Sequence, residues 1–563
     1  MVTGANGLPQ LSSGPGGTAS FEIDTLLRPA LERVLEWIRK GEREDAPVLR
    51  WPTSKEARDN IIIPSISSLG SHVLLEEESK HAKRPQSSHT LSEQGLLELI
   101  GTVLDNSINP WTGRFLDKLY AAPKPIGLVA DLILSVLNAN CHVFSSSPVL
   151  SLVEEMCVQE LGRLCGWSEA GSGSNEESQV DGLTMPGGSA SNTLAIQTAL
   201  ATMFPSYKEA GILGALDDIN RLKALPPPGS ADASVGRHVT GQSEVETVSS
   251  ASLLKPLIFT SDQSHYSIQK AALACGLGLE SVIKVPCDPS GRMDPEALDR
   301  MLHNLRPSHK GFPFFVNATA GTTVLGSFDN LEAISEICKQ NNLWLHVDGS
   351  WGGPVLFSSR WKHLISGIDS CHSFTINPHK LLNVPLQCSF LIFKHGKQAL
   401  KGNSLAASYL FHSADMRDNP GMKTLGCGRK GDALKLYLTW LRYGKEGLGA
   451  HVDRGFELAA KAIAMVKAAA PRLVLYPPPE SSFLQVCFRP YKEGLSTEQL
   501  SQAVIEVRER LQSERMFAVD FAPLPGQSGQ FLRLVTHPST KESDLQTLIQ
   551  RVAALGEKYF ADS

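Results

Sequence analysis

The sequence predicts an α/β protein with a mainly parallel central sheet, an N-terminal helical segment and a small C-terminal α+β domain. Strand-like apolar runs alternate with helical ones between Leu257 and Asp348, the pattern of a parallel sheet with crossover helices. Helical spacing dominates the first part of the chain, and three more strand-like runs follow residue 470. At 563 residues the chain exceeds what one core supports, so two or three lobes are expected.

Residues 1–20 are rich in Gly, Ser and Pro and read as a disordered tail. Residues 21–148 form the helical segment. Leu26, Leu27, Leu31, Val34, Leu35 and Ile38 carry a helix over Phe21–Lys40, and Leu91–Leu104 is a second one. A turn-rich loop, Asn109–Tyr120, precedes a helix over Ile126–Leu137. Residues 149–443 make the large domain, opening with a helix over Val149–Leu164 and a polar surface loop over Glu169–Gln179. Met185–Asn192 then brings glycines and serines to the start of a helix over Thr193–Met203. That arrangement suits a phosphate cradle or a simple N-cap. Residues 222–254, with Pro226-Pro227-Pro228-Gly229, look like an inserted mobile loop. Strands over Leu257–Thr260, Phe312–Asn317 and Leu343–Asp348 alternate with helices over Ile268–Cys275 and Leu331–Gln340. A helix over Asp432–Tyr443 ends the domain. Residues 444–563 form the small domain, its sheet built from Leu473–Tyr476, Ser482–Phe488 and Phe531–Thr536.

Two stretches carry chemistry. Thr375-Ile376-Asn377-Pro378-His379-Lys380 sets a lysine among apolar runs, where desolvation lowers its pKa and makes it a nucleophile or Schiff-base former. A lone lysine at a strand end with its head in water is the plain alternative. Leu343–Asp348 is a buried-looking strand that ends in an acid and a glycine-rich turn. Asp348 there suits catalysis in an α/β fold, or a loop or helix cap. A Schiff-base lysine beside an acidic partner for a pyridine nitrogen is the signature of pyridoxal 5'-phosphate (PLP).

Together with Asn317–Thr323 and Ser264–Ser267, these stretches resemble the group II PLP-dependent amino-acid decarboxylases, most of all the glutamate and cysteine-sulfinate branch. The resemblance runs from about Leu91 to near the C-terminus and is densest from Thr260 to Cys388. It implies the PLP fold type I, aminotransferase-like architecture and a homodimer with the active site at the subunit interface, residues 21–148 wrapping around the partner. It implies Lys380 as the cofactor lysine, Asp348 as the pyridinium partner and His265 as the stacking group. Ser189, Ala190 and Ser191 would form the phosphate cup. Asn377 and His379 would contact the phosphate or brace the site, and Thr323 would lie near the ring oxygen. Tyr409 matches the proton donor at the mouth of a lid, His412–Thr424, and Arg533 matches a substrate-carboxylate ligand. Lys118 and Tyr120 depart from the family, replacing a glutamine and a serine that line the substrate pocket of glutamate enzymes. Gly349 and Ser350 replace two alanines.

The expected activity is PLP-dependent α-decarboxylation of an L-amino acid to the amine and CO2. Lys118 favours a small acidic substrate: cysteine sulfinate, aspartate or glutamate. Tyr120 would suit an aromatic substrate instead, so an aromatic decarboxylase or a PLP aldehyde synthase stands as the alternative. A catalytically weak homologue acting as a binding subunit is the reading from another class. Net charge is −5, which gives no electrostatic case for nucleic acid. No apolar run approaches the ~20 residues of a membrane helix. Ten scattered cysteines without metal-like spacing fit a reducing, cytoplasmic location and no metal.

Overall fold

The structure is a computed structural model that describes residues 23–63, 91–167, 180–224, 254–308, 311–396, 402–405, 407–412, 418–476, 483–524 and 529–562. The expected tail, the loop 169–179, most of the insert and residues 413–417 of the expected lid lie outside them. Packing divides the chain into two compact units, Met1–Leu116 with Glu506–Val519, and Asp117–Ile505 with Asp520–Ser563.

In the first unit, helices α1 (Arg28–Gly41) and α3 (Glu93–Asp105) pack together, and the short α2 (Ser54–Asn60) stands between them in sequence. Thr53 and Glu56 form a reciprocal capping box at the start of α2. Val48, Phe115 and Ala518 make a small core.

The second unit carries a seven-stranded sheet. In chain order its strands are β1 (Asp181–Met185), β2 (Lys255–Ser261), β3 (Val282–Val285), β4 (Gly311–Thr319), β5 (Trp344–Gly349), β6 (Ser373–Ile376) and β7 (Ser389–Phe393). The spatial order is β1-β7-β6-β5-β4-β2-β3, and only β7 runs antiparallel to its neighbours. The central strands read as nearly continuous apolar runs because both faces are covered. Leu345 and Val347 enter one core with Val316 and Phe374. Trp344 and Phe315 enter the other, with Leu194 and Ala195 of α6. The unit's helices include α4 (Pro125–Leu137), α5 (Pro148–Leu164), α6 (Gly188–Met203), α7 (Tyr207–Ala224), α8 (Ser267–Ala274), α9 (Pro295–Ser308), α10 (Leu331–Gln340) and α11 (Ala433–Ala468). Helix α11 runs past residue 443 with one non-helical residue, Gly444 (φ 67°). A second, wholly antiparallel sheet has the order β10-β11-β9-β8, from β8 (Leu473–Tyr476), β9 (Gln485–Pro490), β10 (Asp520–Pro523) and β11 (Gln530–Val535).

The mainly parallel sheet, the mixed C-terminal part and the N-terminal helices thus appear as the sequence predicts. Helix α6 begins five residues earlier than its apolar pattern suggests. Gly187 adopts φ 98°, a conformation that favours glycine, and turns Gly188 and Ser189 into the first helical turn.

Candidate active site

Parallel register brings the functional side chains into rows. Thr319, Asp348 and Thr375 stand side by side at the carboxyl ends of β4, β5 and β6, with Asn317, His346 and Ser373 two residues below. Side chains alternate along a strand, so Trp344, His346 and Asp348 share the face covered by α6. The carboxyl edge opens into a cavity of ≈ 560 Å³. Of the expected site residues, Tyr120, Ser189, His265, Thr323, Asp348, Asn377, His379 and Lys380 line it, along with Ser350.

Asp348 is buried, and each of its oxygens accepts one hydrogen bond. Its Oδ1 accepts the Ser350 N–H at 3.0 Å and its Oδ2 accepts Asn192 Nδ2–H at 2.8 Å. Burial opposes its charge, but these hydrogen bonds and the Lys380 charge hold its pKa below the ordinary value. Burial lowers the pKa of Lys380, with Asp348 opposing. What exposure Lys380 has is toward the cavity it lines. His265 accepts the Ser267 N–H on Nδ1 (3.2 Å). Its pKa is lowered by burial and by Lys380 and Lys270, against Asp348.

The anion side is built from the start of α6 and the end of β6. The first N–H groups of a helix have no intrahelical acceptor, and Gly187 offers no side-chain cap. Ser389 donates to Asn377 Oδ1 at 2.6 Å, which leaves the Asn377 Nδ2 protons to other acceptors. His379 engages the Cys388 backbone through Nδ1, and burial pulls its pKa down to about 4. Ala190 and Ser191 do not line the cavity. Ser191 Oγ turns instead to Ser389 Oγ (3.2 Å) and the Gly187 carbonyl (3.2 Å), a consequence of the early start of α6.

Three more expected site residues are not brought to the cavity. Lys118 Nζ sits 3.0 Å from Asp117 and 3.4 Å from Asp520, and those carboxylates raise its pKa against partial burial. Arg533 spends its guanidinium on the carbonyls of Asp117 (2.7 Å) and Thr323 (3.2 Å), with Asp520 at 3.7 Å. Tyr409 is 84% exposed and lies outside the cavity of its own chain. The sequence reading in turn passed over Asn192 and His346. The signal for His346 is the alternation Trp344-x-His346-x-Asp348, which sets a histidine on the same strand face as the acid.

Comparison with known proteins decides the family. The pyridoxal-dependent decarboxylase conserved domain matches residues 76–222 and 236–491. The chain belongs to this decarboxylase family. It is 32% identical to the cysteine sulfinic acid decarboxylase of Homo sapiens over 98% of both chains. It is 33% identical to an L-aspartate decarboxylase of Metarhizium robertsii, over 83% of this chain and 84% of the relative. The crystal structure of mouse CSAD superposes with a TM-score of 0.77 at 30% identity, covering 96% of this chain and 99% of that one. The fold is therefore PLP fold type I, and the protein is a PLP-dependent amino-acid decarboxylase.

The cavity fits that cofactor. A Cβ on Gly188 would come 2.3 Å from Ser350 Oγ and 3.0 Å from Asn377 Nδ2, so the cradle needs glycine there. The buried hydroxyl of Thr319, which also lines the cavity, has no hydrogen-bond partner among the described residues. The departure at 349 has a packing cause: an alanine Cβ would meet the Phe374 ring at 2.4 Å. Among the described residues no helix is long and apolar enough to cross a membrane, and no group of three His, Cys, Asp or Glu side chains could hold a metal ion.

Proposed function

We propose that the protein removes the α-carboxylate of a small acidic L-amino acid, cysteine sulfinate or aspartate ahead of glutamate, to give the amine and CO2. The observation that carries the acidic reading is the substrate named for its relatives, L-aspartate in one and cysteine sulfinic acid in another. PLP, when bound, supplies an electron-poor ring that accepts the electron pair left behind as CO2 departs. In this reading Lys380 holds the cofactor, Asp348 faces the pyridine nitrogen and His265 covers one ring face. The first turn of α6 and Asn377 bind the phosphate, His379 braces that wall, and Thr323 stands near the ring oxygen. Tyr120 narrows the substrate side.

A proton must then reach Cα, and Tyr409 is the proposed donor. Its exposure outside its own chain's cavity is accounted for if it serves the cavity of a second copy. Exposed apolar faces support a homodimer. Val129, Leu132, Ile133 and Val136 lie along α4, and Leu31 and Leu35 along α1, each at helical spacing. The cysteines are all unpaired, which supports a reducing, cytoplasmic location.

Lys118 and Arg533 reach a substrate anion in this scheme only if it displaces Asp520. The deciding measurement is kcat/KM for cysteine sulfinate, aspartate, glutamate and tyrosine. Cysteine sulfinate and aspartate are expected to lead. A lead for tyrosine would replace this reading with the aromatic one that Tyr120 accommodates.

A further inference from the structure

A line of buried hydrogen bonds runs from Trp344 to Asp348, and chemistry sets the direction of each. The Trp344 indole N–H can only donate, and it meets Ser373 Oγ at 2.9 Å. Ser373 Oγ also lies 2.8 Å from His346 Nδ1, and its single proton is free to go there. The other end makes the same demand. The Asp348 carboxylate only accepts, so Asn192 turns its NH2 to Oδ2 and its Oδ1 to His346 Nε2, 3.0 Å away. That Oδ1 also only accepts, so Nε2 carries the imidazole proton and Nδ1 does not. Both ends assign one tautomer. Burial keeps the ring neutral, with its pKa pulled down to about 4.

The second Asn192 N–H lies 2.9 Å from Ser267 Oγ, at the start of α8. The Ser267 amide in turn donates to His265. One side-chain amide therefore ties Asp348 to the turn that carries His265. Asn192, Ser267, His346 and Ser373 are all buried, and buried polar groups add little stability over apolar side chains of the same shape. The network has its outlet at one oxygen of the acid.

We infer that Asn192 and His346 are positioning residues that hold the Asp348 carboxylate in one orientation toward the cofactor's pyridine nitrogen and keep the His265 turn in step with it. This rests on Asp348 being the partner of that nitrogen. His346 does not line the cavity and acts on Asp348 through Asn192, which does line it.

The test is holoenzyme reconstituted with PLP carrying 15N in the ring. The 15N chemical shift reports protonation of that nitrogen, and equilibrium dialysis reports the cofactor Kd. Asn192→Ala and His346→Leu are expected to move the shift toward the unprotonated form. They should weaken cofactor binding about tenfold or more, the scale of a lost hydrogen bond to a charged group. kcat should fall more than KM changes. His346→Gln, which can still donate to Asn192, should recover most of the loss. If Asn192→Ala, which leaves the core packing around His346 in place, keeps the wild-type shift and Kd, the inference is overturned. Asp348→Asn separates the two levels of the argument. A changed shift there with unchanged relay variants removes the relay alone, and an unchanged shift in Asp348→Asn removes the reading beneath it.

Discussion

Asp348 and Asp520 are both carboxylates with cationic neighbours, yet they are held in opposite ways. Asp348 is buried at the end of β5, and its oxygens are taken by neutral, directional donors, the Ser350 amide and Asn192. Asp520, on β10, has a side chain 33% exposed, shares Lys118 with Asp117 and lies 3.7 Å from Arg533. In the first arrangement a small displacement leaves a buried donor or charge without a partner. In the second, water and salt replace what is lost. Reaction chemistry that needs one geometry belongs on the first kind of support, and substrate choice can be altered on the second at little cost to the fold.

The largest expected effects fall on the buried side. Lys380→Ala should abolish turnover and cofactor attachment, read by activity and by retention of PLP through dialysis. Asp348→Ala should lower kcat by several orders of magnitude, roughly ~5 kcal/mol of barrier. Asp520→Asn should stay within about tenfold, because its ion pairs are partly solvated. Equal losses at Asp348 and Asp520 would erase the contrast. Mixtures of Lys380→Ala with Tyr409→Phe chains test the proposed dimer and where the proposed proton donor acts. Service to the partner's cavity restores about a quarter of wild-type activity by random pairing of subunits, whereas service within one chain restores none.

Acid should separate the two regions next. Burial pulls His346, His372, His379 and His537 down to about 4 and His451 to about 3. An unfolded histidine titrates near ~6.5, so between there and ~4 the unfolded chain binds more protons and stability rises with pH. The stabilisation is fully present above about 6.5 and is lost as pH falls toward the folded values. Asp348, with its pKa held down, adds a loss below the ordinary carboxylate range. Tm should therefore drop steadily from pH 7 to pH 4.5, and a flat profile would contradict neutral buried imidazoles. Gly349→Ala should cost about 1–3 kcal/mol of stability, because Phe374 is buried and cannot yield to the added methyl. Phe374→Leu in the same chain should recover part of it, measured by denaturant unfolding. The smallest effect is expected at Lys118→Gln: a loss of about tenfold or less in kcat/KM for acidic substrates, shrinking at high salt. Unchanged acidic kcat/KM at low salt would mean that Lys118 does not read substrate charge.

His265, in the polar stretch Ser264–Ser267, was picked out only by the family resemblance, whereas Lys380 and Asp348 were picked out because each sits in a local pattern, an apolar run broken by one ionisable residue at a strand end. The glycines ahead of α6 were legible as a cradle for the same reason, although Ser191 turned away once the helix began at Gly188. Asn192 was not legible. It looks like any polar residue in the first turns of a helix, and its role depends on a strand 154 residues away in sequence meeting it through His346. Lys118 was read as a cation for an acidic substrate side chain because Asp520, which pairs with it, lies 402 residues away in sequence.

The sequence by itself determined three parallel strands of the large sheet with two of their crossover helices, the parallel class of that sheet and two ionisable residues, Lys380 and Asp348, of the types PLP chemistry needs. Those features follow from periodicity and from the cost of placing an ionisable group in an apolar run. Only the tertiary structure decided which side chains face one another. Parallel register set His346 beside Ser373 and Asp348 beside Thr319, and the α6 crossing set Asn192 over them. Folding of the second sheet brought Asp520 and Arg533 to Lys118. Hydrogen bonds and ion pairs act over a few ångströms, and the distances that matter here join segments separated by more than a hundred residues of chain.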